Sequence, residues 1–233
     1  MNAIYRKELR STFTSWTGYV YLAVFSLISG FIFTTGNLLS LNADIKSYFG
    51  SICTVLVFLV PILTMRVFAE EHKLRTLQLL FTMPVSLGDI VAGKFLATLT
   101  VFCIGLVPTL AYPLILAWYG SFEGAVIAGN YLGLVLLVSA CIAIGLFVSG
   151  LTENQLIAAV VTYALLLALW LPDMSGQDSA AGVSRFLAYL SLNQHFKAFT
   201  YGIFDPADIV FFASLTLLFL AFCVLTLDAR KTA

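Results

Sequence analysis

The sequence predicts an all-α integral membrane protein with six transmembrane helices, and three observations carry that prediction. Of 233 residues, 61% are hydrophobic and only 10% are charged, and the mean hydropathy is +0.99. A soluble domain carries about 25% charge, so this surface is not built for water. Six charge-free windows, at 11–43, 47–65, 95–122, 124–152, 154–172 and 209–227, are each long enough to cross a hydrocarbon layer of about 30 Å as a helix of roughly 20 residues. The alternation of period two that a membrane barrel requires is absent, so the windows are helices.

The expected spans are 17–37, 48–66, 94–118, 128–150, 155–172 and 208–227. Lysine and arginine orient them, because basic loops are retained on the cytoplasmic side. With both termini cytoplasmic, Arg6, Lys7, Arg10, Arg66, Lys73, Arg75, Lys94, Arg230 and Lys231 fall inside, and only Lys46, Arg185 and Lys197 fall outside. The expected location is a bacterial inner membrane, with the lipid bilayer as solvent. Acidic and basic residues balance at 12 each, which leaves no footprint for nucleic acid. A single transmembrane domain is expected over 1–233, with an interfacial helix at 1–16, a cytoplasmic segment at 67–93 and an outer segment at 173–207.

Residues 2–16 open the chain as an amphipathic helix. Tyr5, Leu9, Thr12, Phe13 and Trp16 share one face, and Arg6, Lys7 and Arg10 lie off it. This fits a helix on the cytoplasmic leaflet, read either as a topology anchor or as a lever on the first span. The following apolar run is too long for a signal peptide and no small-x-small cleavage site follows it, so an uncleaved first span is expected. Pro61 in span two, and Pro108 and Pro113 in span three, remove backbone donors and favour kinks, as hinges or as packing shape. Ser86 with Asp89, and Thr152 with Gln155, read as capping boxes before spans three and five. Asp205, Pro206 and Asp208 read as N-cap, N1 and N3 of span six.

The outer segment divides in two. DMSGQDSAAG is a polar loop, whereas Phe186, Leu187 and Leu190, then Phe196, Phe199 and Ile203, form two apolar stripes. Two short helices dipping back into the outer leaflet are expected, the second capped by Asn193 and closed by Gly202. The small-residue pairs Ser26/Gly30 and Gly129/Gly133 allow close helix approach, inside one chain or between two. Cys53, Cys103, Cys141 and Cys223 fall in different spans without C-x-x-C spacing and read as small packing residues, not metal ligands.

The stretch from Arg66 to Lys94 is a charged island in this apolar chain. It holds Glu70, Glu71, His72, Lys73, Arg75 and Asp89, while Leu74, Leu77, Leu80 and Phe81 recur at helical spacing. That pattern describes an amphipathic helix at the membrane surface with a face open to a soluble partner.

Other chemistries fit poorly. GDIVAGKF at 88–95 approaches a phosphate loop, but Phe95 stands where the Mg²⁺-binding hydroxyl belongs and no strand precedes it. Lys94 is instead expected to snorkel from the base of span three, and no cofactor is expected on this chain. Glu70-Glu71-x-x-x-Arg75 matches an intramembrane-protease motif, yet that chemistry needs histidines beside the glutamate. The chain's two, His72 and His195, are expected on opposite sides of the membrane. No ionisable residue lies near the middle of any expected span, which argues against an ion-coupled carrier. Energy must therefore enter from outside the chain.

Three segments carry a family resemblance that extends over nearly the whole chain. They are RKELRSTFTSWTGYVYLAVF at 6–25, the charged island with its Glu70-Glu71 pair, leucine run, Pro84-Val85 and Gly93-Lys94-Phe95, and LSLNQHFKAFTYGIFDPADIVFF at 190–212. Together they resemble type-2 ABC-transporter permeases of the gliding-motility and nitrous-oxide-reductase-maturation branch. The resemblance implies a second permease, identical or homologous, and two copies of an ABC ATPase subunit that holds ATP and Mg²⁺. Leu74–Thr82 resembles the coupling helix that sits in an ATPase groove, with Glu70, Glu71 and Arg75 at its edge. Phe186, Leu190, Phe196 and Phe199 fall in the family's outer re-entrant hairpin, and spans one and five would meet across the dimer. Arg75 stands where the family usually has Gly, and it could pair with Glu71 at i,i+4.

The expected function follows from this resemblance: a non-enzymatic permease subunit that couples a partner's ATP hydrolysis to export of an apolar or amphipathic substrate. The alternative is a non-transporting complex that passes force to a partner protein, with an accessory chain in the outer compartment.

Overall fold

Ten α-helices are found in chain order in the computed structural model, which describes residues 2–41, 44–74, 86–118, 124–170 and 190–232, with side chains to 229. They are α1 (Asn2–Thr14), α2 (Trp16–Phe33), α3 (Ile45–Thr64), α4 (Ala69–Lys73), α5 (Leu87–Leu106), α6 (Ala111–Ala117), α7 (Gly124–Leu151), α8 (Gln155–Trp170), α9 (Leu192–Thr200) and α10 (Pro206–Thr232). Among the described residues there is no strand.

Among the described residues, five helical segments are long and apolar enough to cross a bilayer: Trp16–Leu38, Ile45–Lys73, Leu87–Ala117, Gly124–Leu151 and Pro206–Ala229. The segment expected as span five forms α8, an apolar helix of 16 residues ending at Trp170, about 24 Å long at 1.5 Å per residue. The protein is thus a multi-pass helical membrane protein. Its largest apolar side chains are not all inside: Leu27 and Phe31 on α2, Leu156 and Val160 on α8, and Leu217 and Leu225 on α10 are exposed, as suits helices bathed in hydrocarbon.

Local chemistry sets the breaks. Ser15 has extended backbone (φ −84°, ψ 152°) between α1 and α2, and its hydroxyl donates to Thr12 O at 3.2 Å. The corner is so tight that a Cβ on Gly18 would lie 2.6 Å from Thr12 O. The far end of α2 widens into a π-helical turn, Thr34–Leu38, where Thr34 and Thr35 hydroxyls bond back to Gly30 O and Phe31 O, a habit that bends helices. Of the three prolines, Pro108 ends α5 and starts a 3₁₀ turn, whereas Pro61 sits inside α3 and Pro113 inside α6.

Three capping expectations hold and two are corrected. Ser86 caps α5, accepting from Asp89 N at 3.1 Å, and Asp205 starts α10 by accepting from Ala207 N at 2.9 Å. Gly202 closes α9 at φ +73°. At α8, however, Asn154 caps by accepting from Leu156 N at 2.9 Å, and Thr152 binds Asn154 N instead of forming a box with Gln155. At α9 the cap is Ser191, which accepts from Gln194 N; Asn193 already lies within the helix. In both, the cap is the short polar residue immediately before the first helical residue.

Among these spans α7 is the most buried, and it packs against α3, α5, α8, α9 and α10. Small residues let its neighbours approach. A Cβ on Gly133 would lie 2.8 Å from Phe199 Cβ, and one on Gly129 would lie 3.1 Å from Phe199 O. The Gly129/Gly133 pair therefore serves internal packing, as the seat of α9. Beside it, Asn130 is fully buried and donates to Val126 O at 2.7 Å and Thr200 O at 3.4 Å. Gly30 faces Tyr112 of the same chain: a Cβ there would lie 3.6 Å from its hydroxyl.

Between α2, α3 and α6 lies a satisfied polar cluster. Ser29 Oγ is 2.8 Å from Tyr48 OH and 3.3 Å from Tyr112 OH, and Phe33 stacks on Tyr112 with ring centroids 4.4 Å apart. Buried hydroxyls of this kind require partners, and these tie the span-one, span-two and span-three segments together at the end opposite α1.

Candidate functional site: a buried lysine at the elbow

The structure brings together α1, the turn between α3 and α4, and the start of α5. We call this the basic end of the bundle. The meeting point is Lys94, in the second turn of α5 and only 1% exposed. Gly93 makes room for it, because a Cβ there would press against Ile4 of α1 at 3.1 Å.

Lys94 Nζ donates to Glu8 Oε1 at 2.9 Å and Val67 O at 2.9 Å, and it forms an ion pair with Glu71 Oε2 at 3.0 Å. The Phe68 ring adds a cation–π face 5.0 Å away. Lys7, largely exposed, approaches Glu71 Oε1 at 3.6 Å. Two cations thus face two carboxylates. A buried charge is tolerable only when paired and hydrogen-bonded in this way. The expectation that Lys94 snorkels is corrected: its head points into the junction, because two carboxylates and a carbonyl solvate it better than the membrane edge would.

The fold presents Glu8 by ordinary helical periodicity. On α1, Ile4, Leu9 and Phe13 pack against the core, Tyr5 OH lies 3.1 Å from Thr100 Oγ1 of α5, and Glu8 projects from the same side. Arg6, Lys7 and Arg10 are exposed. The face predicted at 5, 9, 12 and 13 thus packs on protein, while Trp16 is 85% exposed at the start of α2.

A second set of bonds holds the elbow from the opposite side. Ser149, buried near the end of α7, accepts from Phe68 N at 3.1 Å and Ala69 N at 3.0 Å and donates to Met65 O at 3.2 Å. Its hydroxyl therefore uses its donor and both lone pairs. One turn earlier on α7, a Cβ on Gly145 would fall inside the Thr64 side chain, so that side chain of α3 lies directly on the α7 backbone. Arg66 closes the elbow with a two-pronged pair to Glu70, at 3.1 and 3.2 Å.

Of the residues predicted for coupling, Glu70, Glu71 and Leu74 are placed here, and Leu74 is exposed. Arg75, Leu77, Leu80 and Phe81 lie outside the described residues, and Glu71 meets Lys94 and Lys7. Among the outer positions, Phe196 and Phe199 are buried against the core, Leu190 sits in the turn before α9, and Phe186 lies outside the described residues. Sequence reasoning missed Glu8, although it is the lone acid in the first 43 residues and shares a helix face with Ile4. It also missed Ser149, which carries no sequence signal in an apolar run.

At the opposite end, His195 Nδ1 lies 2.5 Å from Asp208 Oδ1, and its ring stacks on Phe211 at 3.9 Å. This joins α9 to α10. His72 sits in α4 by contrast, so the two histidines are separated by the length of α7. Among the described residues no group of three His, Cys, Asp or Glu could hold a metal ion. No curated protein matches the sequence. The model described as ABC-2 family transporter protein matches residues 2–230, and the chain belongs to that family, as a multi-pass permease of the ABC transporters.

Proposed function

We propose that this chain is the membrane subunit of an ATP-driven exporter of the gliding-motility and nitrous-oxide-reductase-maturation branch. It lies in a bacterial inner membrane with both termini cytoplasmic. Six spans cross the bilayer, with α8 and the residues after it forming the fifth. Two ABC ATPase subunits bind ATP and Mg²⁺ and grip the segment after α4, Leu74–Thr82. A second permease, identical or homologous, completes the assembly. The outer segment ending in α9 is re-entrant, and the cargo is apolar or amphipathic, since the spans offer little charge.

One observation supports this reading above the others. Lys94 joins the elbow after span two, the N-terminal helix and the base of span three through one ammonium. A push on the segment after Lys73 would be delivered to three elements at once. A lysine buried so expensively at the point where an ATPase would press suits a mechanical bracket.

The test is co-purification of the intact complex in mild detergent, with mass spectrometry of every chain. Glu70→Ala combined with Leu77→Asp should abolish recovery of the ATPase; retention would overturn the docking assignment. Substrate-stimulated ATP hydrolysis with vectorial movement in liposomes is the expected activity. Hydrolysis that responds only to a protein partner would replace export by the force-transmitting alternative.

A further inference from the structure

Resting on the reading that an ATPase presses on the elbow, we propose that α7 is the rod that carries this motion to α9, with Ser149 and Gly145 as its input and Gly133 and Asn130 as its output. These are positioning residues: none needs to touch the cargo.

Four observations support this. The same helix is in backbone-close contact at both ends, with Thr64 at Gly145 and with Phe199 at Gly133. At the basic end, Ser149 takes two buried amides of the elbow, Phe68 N and Ala69 N, so the turn cannot tilt without α7 or without breaking two hydrogen bonds. At the opposite end, Asn130 holds Thr200 O, the last carbonyl of α9. Between the two ends α7 is one uninterrupted helix of 28 residues without proline. The 16 residue steps from Gly133 to Ser149 span about 24 Å at 1.5 Å per residue. Close-packed interfaces shift between discrete arrangements instead of deforming smoothly. The span-three route is less direct, since α5 breaks at Pro108 into a 3₁₀ turn.

The test is hydrogen–deuterium exchange of the full permease–ATPase complex in nanodiscs, comparing nucleotide-free protein with protein trapped by MgADP and vanadate. In the wild type, exchange should change several-fold both at 65–73 and across Leu192–Thr200. Ser149→Ala should keep the response at 65–73 and reduce that at Leu192–Thr200 at least threefold. Gly133→Ala should do the same from the other end, and adding Phe199→Ala, which removes Cγ and the ring, should restore it only in part, because Phe199 Cβ itself would lie 2.8 Å from the new methyl. A full α9 response in Ser149→Ala, or a wild-type elbow that responds while α9 does not, would overturn the rod. A wild-type elbow that itself fails to respond would overturn the ATPase-docking reading beneath it.

Discussion

Lys94 of α5 and Glu8 of α1 are 86 residues apart in sequence and 2.9 Å apart in space, and their pairing makes the N-terminal helix part of the bundle instead of an appendage on the leaflet. With Lys94 at 1% and Glu8 at 18% side-chain exposure, breaking the pair from either side strands a charge. Lys94→Met leaves Glu8 and Glu71 facing each other, and losing one partner of a buried pair costs about 3–5 kcal/mol. A large drop in the thermal midpoint in detergent is expected. The triple variant Lys94→Met, Glu8→Gln, Glu71→Gln should recover most of it, because neutral isosteres no longer need a counter-charge. Lys7→Ala should lie within about 1 kcal/mol, as its exposed ammonium contributes little.

Gly145 permits the α3–α7 contact and tolerates no replacement at the present spacing. An added methyl would lie 2.7 Å from Thr64 Cβ and closer still to its hydroxyl. Overpacking of this kind costs about 1–3 kcal/mol, so Gly145→Ala should lower the thermal midpoint. Thr64→Ala should rescue it only in part, because the Thr64 Cβ that remains is itself too near. Full rescue would show that the hydroxyl alone sets the spacing.

The architecture was legible in the sequence where hydrophobicity alone decides. Five of the six expected spans fall on helical segments long enough to cross a bilayer, with ends shifted by up to seven residues, and the expected fifth falls on the shorter α8; Ser86, Asp205 and Gly202 marked their helix ends because each acts within one turn. The site was legible only in outline. The charged island located the elbow through Glu70 and Glu71, but Glu71 also meets Lys94, 23 residues on. Such pairings depend on which helix faces come together, which periodicity on one helix does not reveal. Ser149 shows the limit most clearly. Serine is ordinary in a membrane helix, and its role arises only because the two amides of a turn 80 residues earlier arrive beside it.

The His195–Asp208 pair predicts a local effect at the opposite end. His195→Phe would keep the stack on Phe211 but lose the bond to Asp208, leaving a mostly buried carboxylate without that partner. A cost of about 1–3 kcal/mol is expected, seen as faster amide exchange across α9 with no change at 65–73. Equal acceleration at both ends would mean general unfolding and would count against a local clamp.

Gly202 gives the sharpest prediction about α9, because two independent constraints meet on it. Its amide donates to Phe199 O at 2.9 Å, and the next amide, Ile203 N, reaches Ala198 O at 3.1 Å; together these bonds close the helix in a Schellman motif. The motif places Gly202 at φ +73°, and a Cβ there would also lie 3.0 Å from Val126 Cγ2. The left-handed backbone alone costs an L-residue about 1–2 kcal/mol. Gly202→Ala should therefore destabilise by at least that amount and loosen α9 from α7. Adding Val126→Ala should relieve only the steric part. If the double variant regained full wild-type stability, backbone conformation would be irrelevant at this position and crowding against Val126 would be the whole reason for the glycine.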